Sequence, residues 1–175
     1  MQIQMKNTLR KLVIALAVIT TFAGCLKNST DTTNTCNYDA CAKVAPAAEI
    51  QQVQDVVTAK GVSATKHCSG VFYTIDSVGT GKTPTPCSYV AVRYKGTLTN
   101  GTVFDQQTSP ISFDLTSLIP AWRNTLPLIK EGGKIRLYVP PSLAYGSSDV
   151  KDNSGNVVIP ANSVLIFEVS LVAVQ

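Results

Sequence analysis

The sequence predicts an α+β domain in which an antiparallel sheet wraps around one short helix, with a second helix ahead of it. Three observations lead there. First, four segments alternate with the period of two that a half-buried strand needs. Val71, Tyr73 and Ile75 alternate with Phe72, Thr74 and Asp76; Val90, Val92 and Tyr94 with Ala91, Arg93 and Lys95; Ile135, Leu137 and Val139 with Arg136 and Tyr138; and Leu165, Phe167, Val169 and Leu171 with Ile166, Glu168 and Ser170. Second, Thr99-Asn100-Gly101-Thr102 is a hairpin turn signal, because Asn-Gly accepts positive φ at both central positions. Third, one short helix candidate lies between the strands. It starts at Pro120, carries Trp122, and cannot run cleanly past Thr125 or Leu126, because Pro127 lacks an N–H and restricts the residue before it. Many strands and one short helix pack as a sheet on a helix.

The chain has 175 residues, enough for one ordinary domain plus extensions. Its first stretch is not part of that domain. Lys6, Arg10 and Lys11 precede an apolar run over residues 12–19, too short to span a bilayer, and Phe22-Ala23-Gly24-Cys25 follows. Positive residues, a short apolar run and small residues before a processing point make a secretory signal peptide over residues 1–24. Phe22-Ala23-Gly24-Cys25 resembles the lipobox of bacterial lipoproteins, with Phe22 where Leu is usual. The resemblance implies a lipidated Cys25, hence a membrane anchor and a place in the cell envelope on the periplasm-facing side of the inner or outer membrane.

Residues 25–43 then read as a flexible tether, since the run 26–35 is polar and has almost nothing to bury. Four of the five cysteines remain after Cys25: Cys36, Cys41, Cys68 and Cys87. An even number in an exported chain predicts two disulfides, and three pairings are open. A zinc site is the weaker reading, because no CxxC spacing occurs and His67, beside Cys68, is the single histidine. No metal and no cofactor is expected.

Residues 44–65 form a helical segment. Within it, 46–60 reads as a helix, with Pro46 suited to the first turn and Gly61 to the C-terminal cap. Ile50, Val53 and Val57 share one face. That face either packs on the main domain or meets a partner. The domain proper runs over residues 66–175, and its long loop 141–160, rich in Pro, Gly, Ser, Asp and Asn, has the length of a functional loop.

Charge and motifs exclude several functions. The chain has 15 Lys and Arg against 11 Asp and Glu, and residues 1–24 hold three of the basic ones, so the processed chain is close to neutral. No basic stripe for nucleic acid remains. No GxSxG marks a nucleophile, and Gly79-Thr80-Gly81-Lys82 lacks the spacing of a phosphate loop, so it reads as a turn. Acidic residues are few and scattered. Aromatic and aliphatic residues, by contrast, gather near strand ends and in loops: Tyr94, Phe104, Phe113, Ile119, Trp122, Tyr145, Val158, Ile159 and Phe167. Together they suit an apolar pocket with a few polar groups.

Val92-Arg93-Tyr94-Lys95-Gly96-Thr97-Leu98 followed by Asn100-Gly101-Thr102-Val103-Phe104-Asp105 resembles the signature of FKBP-type peptidyl-prolyl isomerases. So do Leu118-Ile119-Pro120-Ala121-Trp122, Gly132-Gly133-Lys134, Val139-Pro140-Pro141-Ser142-Leu143-Ala144-Tyr145-Gly146, Ile159-Pro160 and Val164–Val169, in the same order over residues 88–174. The resemblance implies a half-open antiparallel sheet around a short helix and cis–trans isomerisation of X-Pro bonds without a cofactor. It implies that Tyr94, Phe104 and Phe167 line a proline pocket floored by Trp122. Leu118 and Ile119 would form one wall, with the Ile119 N–H open to a substrate carbonyl, and Asp105 and Tyr145 would supply polar contacts. Ile159 would lie on the opposite rim, with Phe113, Ile111 and Val158 completing the substrate-binding set. Implied partners are proline-containing unfolded or exported polypeptides and macrolide inhibitors, with no nucleic acid. Departures include Ile111 where many members carry an aromatic, Ala121 in place of a frequent glycine, and a longer loop between Tyr145 and Val158. The competing reading is an FKBP-like chaperone or binding module with weak catalysis.

Overall fold

The structure is a computed structural model that describes residues 36–175; Cys25, the expected signal peptide and the polar run 26–35 lie outside the described residues. Six strands make the main sheet: β1 (Thr65–Lys66), β2 (Phe72–Ser77), β3 (Tyr89–Leu98), β4 (Val103–Asp114), β5 (Lys134–Val139) and, last in the chain, β8 (Leu165–Val174). Their order is β1-β2-β5-β8-β3-β4, and every pairing is antiparallel. A small separate hairpin joins β6 (Val150–Lys151) and β7 (Val157–Ile159). Among the described residues the α-helices are α1 (Ala47–Ala59) and α2 (Pro120–Thr125), so the expected α+β architecture of a sheet around a short helix, with an N-terminal helix added, is the one observed.

The sheet buries residues on both faces. Its inner face contributes Val90, Val92, Leu137, Val139, Leu165 and Phe167, which close around Ala121, Trp122 and Leu126 of the short helix and the turn after it. Its outer face carries a row in which Phe72 pairs with Tyr138 and Tyr138 with Ile166. Val53 and Val57 of α1 pack on that row and are buried completely or nearly so. The apolar face of α1 therefore caps the back of the sheet, the packing alternative of the two that its sequence left open. This explains why Leu165, Ile166 and Phe167 are all buried although they alternate faces.

Helix α1 starts after Pro46 and ends in a Schellman motif: Gly61 takes φ +64°, its N–H donates to the Thr58 carbonyl at 3.0 Å, and the Val62 N–H donates to the Val57 carbonyl at 3.1 Å. Only a residue free of a Cβ takes that φ without cost, as the glycine there predicted. The Glu49 carboxylate of the first turn accepts from the Ser142 N–H at 2.8 Å, tying the helix to the start of the long loop.

Two segments differ from the sequence reading or refine it. The segment after the Asn-Gly turn is a twelve-residue strand, β4, which holds Phe104 and Phe113. It escapes periodicity because it is an edge strand, exposed on most positions, and its register with β3 jumps between Val92 and Tyr94. Pro110 is tolerated there because an edge strand has donors with no ladder to serve. The loop 141–160 contains a 3₁₀ turn at Pro141–Leu143 and the β6–β7 hairpin. Asp152 closes that hairpin by accepting from the Ser154 and Asn156 backbone N–H groups, and its hydrogen bonds, that of the Asn156 side chain first, hold its carboxyl below the usual carboxylate range.

The cysteines pair as Cys36–Cys87 and Cys41–Cys68. The far end of the expected tether, residues 36–43, is thereby fastened to the domain at two points. His67 lies beside the second bridge, but both neighbouring thiols are spent in it, leaving no thiolate pair for a metal.

Candidate active site

A cavity of about 180 Å³ opens between the inner face of the sheet and α2, lined by Tyr94, Asp105, Phe113, Leu118, Ile119, Trp122, Tyr145 and Phe167. Five elements or their junctions supply these side chains. Tyr94 projects from β3, Asp105 and Phe113 from β4, Phe167 from β8, and Leu118, Ile119 and Trp122 from α2 and the turn before it. Tyr145 comes from the start of the long loop and is 45% exposed, so it stands at the rim.

Trp122 is the centre of the aromatic lining. Its ring meets Tyr94 at 5.2 Å between centroids, Phe167 at 5.5 Å and Phe113 at 6.3 Å, each close to perpendicular. Edge-to-face contacts of this kind add about 0.5–1.5 kcal/mol each beyond area burial, so they fix the ring planes as well as their positions. Phe104 sits one layer back, perpendicular to Phe167 at 5.6 Å. The Trp122 Nε1–H is buried with no hydrogen-bond partner among the described residues.

The polar side of the cavity is a short chain of groups. The Tyr94 hydroxyl donates to Asp105 Oδ2 at 2.5 Å. Burial, then that hydrogen bond and the Asp105 charge, push the Tyr94 phenol far above its ordinary range. Burial and the same carboxylate raise Tyr145 as well. Both phenols thus remain neutral donors throughout the physiological range. Ile119 caps α2 with φ −55° and ψ 143°, and its carbonyl accepts from the Trp122 and Arg123 N–H groups at 3.1 and 3.4 Å. Its own N–H donates to no protein group among the described residues.

Of the twelve residues expected around the pocket, eight line the cavity and four do not. Phe104 supports Phe167 from behind; Ile111, on β4 opposite Val92, packs against the main core; Val158 is half-buried on β7; and Ile159 is 4% exposed inside the core. One positioning residue was quoted in the signature without a role. Gly96 lies in register with both Asp105 and Phe167, and a Cβ there would stand 2.5 Å from Phe104 Cζ and 3.1 Å from Phe167 Cε1. A glycine inside a strand is the usual sign of such a close approach.

An antiparallel sheet over a short helix, with an apolar, aromatic-floored cavity between them, defines a class of protein with room for one compact apolar group. The comparisons give that class its family. Residues 80–172 match the model for the FKBP-type peptidyl-prolyl cis-trans isomerase domain, more than half of the chain, and the chain belongs to that family. It is 42% identical over 120 residues to the FKBP-type peptidyl-prolyl cis-trans isomerase FkpA of Buchnera aphidicola subsp. Schizaphis graminum, covering 66% of this chain and 44% of that one. The FkpA of Escherichia coli is 41% identical over 119 residues, covering 66% and 41%. The chain thus spans less than half the length of these curated relatives. Among solved structures, a peptidyl-prolyl cis-trans isomerase of Pseudomonas syringae pv. tomato superposes with a TM-score of 0.63 at 32% identity, over 75% of this chain and 97% of that one. The crystal structure of Escherichia coli FkpA gives 0.60 at 37% identity, over 74% and 58%.

Proposed function

We propose that this chain catalyses cis–trans isomerisation of X-Pro bonds in exported polypeptides, at the cavity floored by Trp122 and held at the cell envelope by a lipid on Cys25. The observation that carries the reading is a cavity lined by five aromatic side chains with a single carboxylate, Asp105, engaged by a neutral phenol. Such a cavity takes a prolyl ring, and the reaction needs neither a nucleophile nor a general base.

An X-Pro bond interconverts over a barrier of about 18–20 kcal/mol, in tens to hundreds of seconds unaided. Planarity is maintained by charge separation between the amide oxygen and nitrogen. Twisting the bond removes that separation. A dry aromatic wall therefore solvates the planar amide worse than water does and penalises the twisted one less, which binds the transition state better than the substrate. Removing about 6 kcal/mol of barrier gives about 10⁴-fold. The prolyl ring sits on Trp122 between Tyr94 and Phe167; the Ile119 N–H donates to a substrate carbonyl, and Tyr145 and Asp105 orient the amide at the rim. The macrolide inhibitors of the family would enter the same cavity.

The test uses an exported protein whose slow refolding phase is an X-Pro isomerisation. The oxidised wild type accelerates that phase and Asp105→Val loses most of the effect. A well-folded wild type that binds the unfolded client without changing its rate points instead to a chaperone-like binding module.

A further inference from the structure

We infer that Tyr38, together with the Cys36–Cys87 bridge, is a positioning device for Trp122, acting through the two residues that follow Trp122 in α2. Helix α2 has only six residues. Isolated helices shorter than about 12–15 residues are marginal in water, so its orientation is set from outside. One side is fixed by the aromatic cluster, which is the pocket itself. The other is held by the N-terminal arm. The Tyr38 hydroxyl donates to Asn124 Oδ1 at 2.7 Å, and the Arg123 guanidinium lies 3.8 Å from the centre of the Tyr38 ring. Arg123 also donates through Nε to the Pro86 carbonyl at 3.0 Å and contacts Cys87 Sγ at 3.7 Å.

These contacts form a closed circuit. The bridge joins Cys36 to Cys87, Cys87 and its neighbour Pro86 hold Arg123, Arg123 stacks on Tyr38, and Tyr38 is two residues from Cys36. Asn124 is 3% exposed, so its oxygen has no water to replace a lost Tyr38 hydroxyl at no cost. A cation over an aromatic face and a part-buried hydrogen bond each resist rotation of α2 about its axis. Rotation of that helix would swing the Trp122 ring out of its perpendicular contacts. The arm lies behind the helix, away from the cavity lining, so Tyr38 acts through Arg123 and Asn124 and touches no substrate.

The kinetic part of this inference rests on the isomerase reading; the spectroscopic part does not. Trp122 is the single tryptophan of the chain, so its indole N–H gives one unambiguous nuclear magnetic resonance signal. The full-length, oxidised protein in detergent is compared with Tyr38→Ala, Tyr38→Phe and Val57→Ala, the last a control that weakens the outer cluster far from α2. Below the melting range of all four, Tyr38→Ala moves the indole signal and lowers kcat/KM for a proline tetrapeptide roughly tenfold, since small misplacements of a reacting group are costly. Tyr38→Phe, which keeps the ring over Arg123, shows a smaller change of the same sign and carries the test if the alanine variant does not fold. Val57→Ala lowers the melting temperature and changes neither reading. An unmoved indole signal in the Tyr38 variants, or an equal movement in Val57→Ala, overturns the inference. If the wild type accelerates no exchange, the isomerase reading fails and the indole signal alone decides this one.

Discussion

Replacing Gly96 by alanine tests how tightly the pocket is built. The new Cβ would lie 2.5 Å from Phe104 Cζ, 2.7 Å from Phe104 Cε2 and 3.1 Å from Phe167 Cε1. Carbon atoms rest at about 3.5–4.0 Å, so the Phe104 ring must retreat by about 1 Å and Phe167 by several tenths. Overpacking of this kind costs about 1–3 kcal/mol, partly offset by about 0.4–1 kcal/mol from the stiffer unfolded chain. The net loss is about 1–2 kcal/mol, or a few degrees in melting temperature. Catalysis should suffer more, because Phe167 stands between Trp122 and Phe104 and passes the displacement to the cavity wall. A fall of roughly 10- to 100-fold in kcat/KM for a proline tetrapeptide is expected, with melting and exchange measured on the same samples. Adding Phe104→Leu makes room behind Phe167 and should restore part of both. Wild-type activity in Gly96→Ala, or no rescue by the second change, would refute the claim that Gly96 sets the position of Phe167.

Three further outcomes follow from the same geometry. Tyr94 is raised in the folded state, so its stabilising contribution is complete below the ordinary tyrosine value of about 10 and is lost as pH rises beyond it; ultraviolet titration should find Tyr94 missing from the phenols that ionise near pH 10 in the wild type, so that Tyr94→Phe leaves their number unchanged. Burial lowers His67 below 6.5, so the unfolded chain takes up its proton first and stability falls as pH drops below that value; His67→Gln should flatten the melting temperature between pH 7 and 5. Reduction should loosen the arm: on chain-entropy grounds the bridges spanning 51 and 27 residues contribute about 4 and about 3.5 kcal/mol taken singly, and Cys36→Ala with Cys87→Ala should lower the denaturant midpoint accordingly.

The central strands were legible because the face toward the core selects large apolar residues at every second position, as in Val90, Val92 and Tyr94. Helix α1 was legible from both ends, since Pro46 and Gly61 are demanded by backbone geometry rather than by tertiary contacts. Strand β4 was not, because an exposed edge has no core to select its residues, and a register jump breaks what pattern remains. The pocket residues were legible only through the family signature; singly, Tyr94 or Phe167 cannot be told from core. Phe104, Ile111, Val158 and Ile159 belong to the set that the resemblance implies but lie outside the cavity lining, because only three-dimensional packing separates a wall from the layer behind it. The two bridges were expected, but their pairing depends on where residues 36 and 41 return to the domain. No local rule encodes that.

The central claim is that a prolyl ring seated on Trp122 isomerises faster than in water. Two-dimensional exchange spectroscopy on a proline tetrapeptide measures this directly, with catalytic amounts of the oxidised protein and of Trp122→Ala. The account predicts cis–trans cross-peaks on the sub-second scale with the wild type and near-background exchange with Trp122→Ala. Equal acceleration by both proteins, or none by a folded wild type that still binds the peptide, would contradict it.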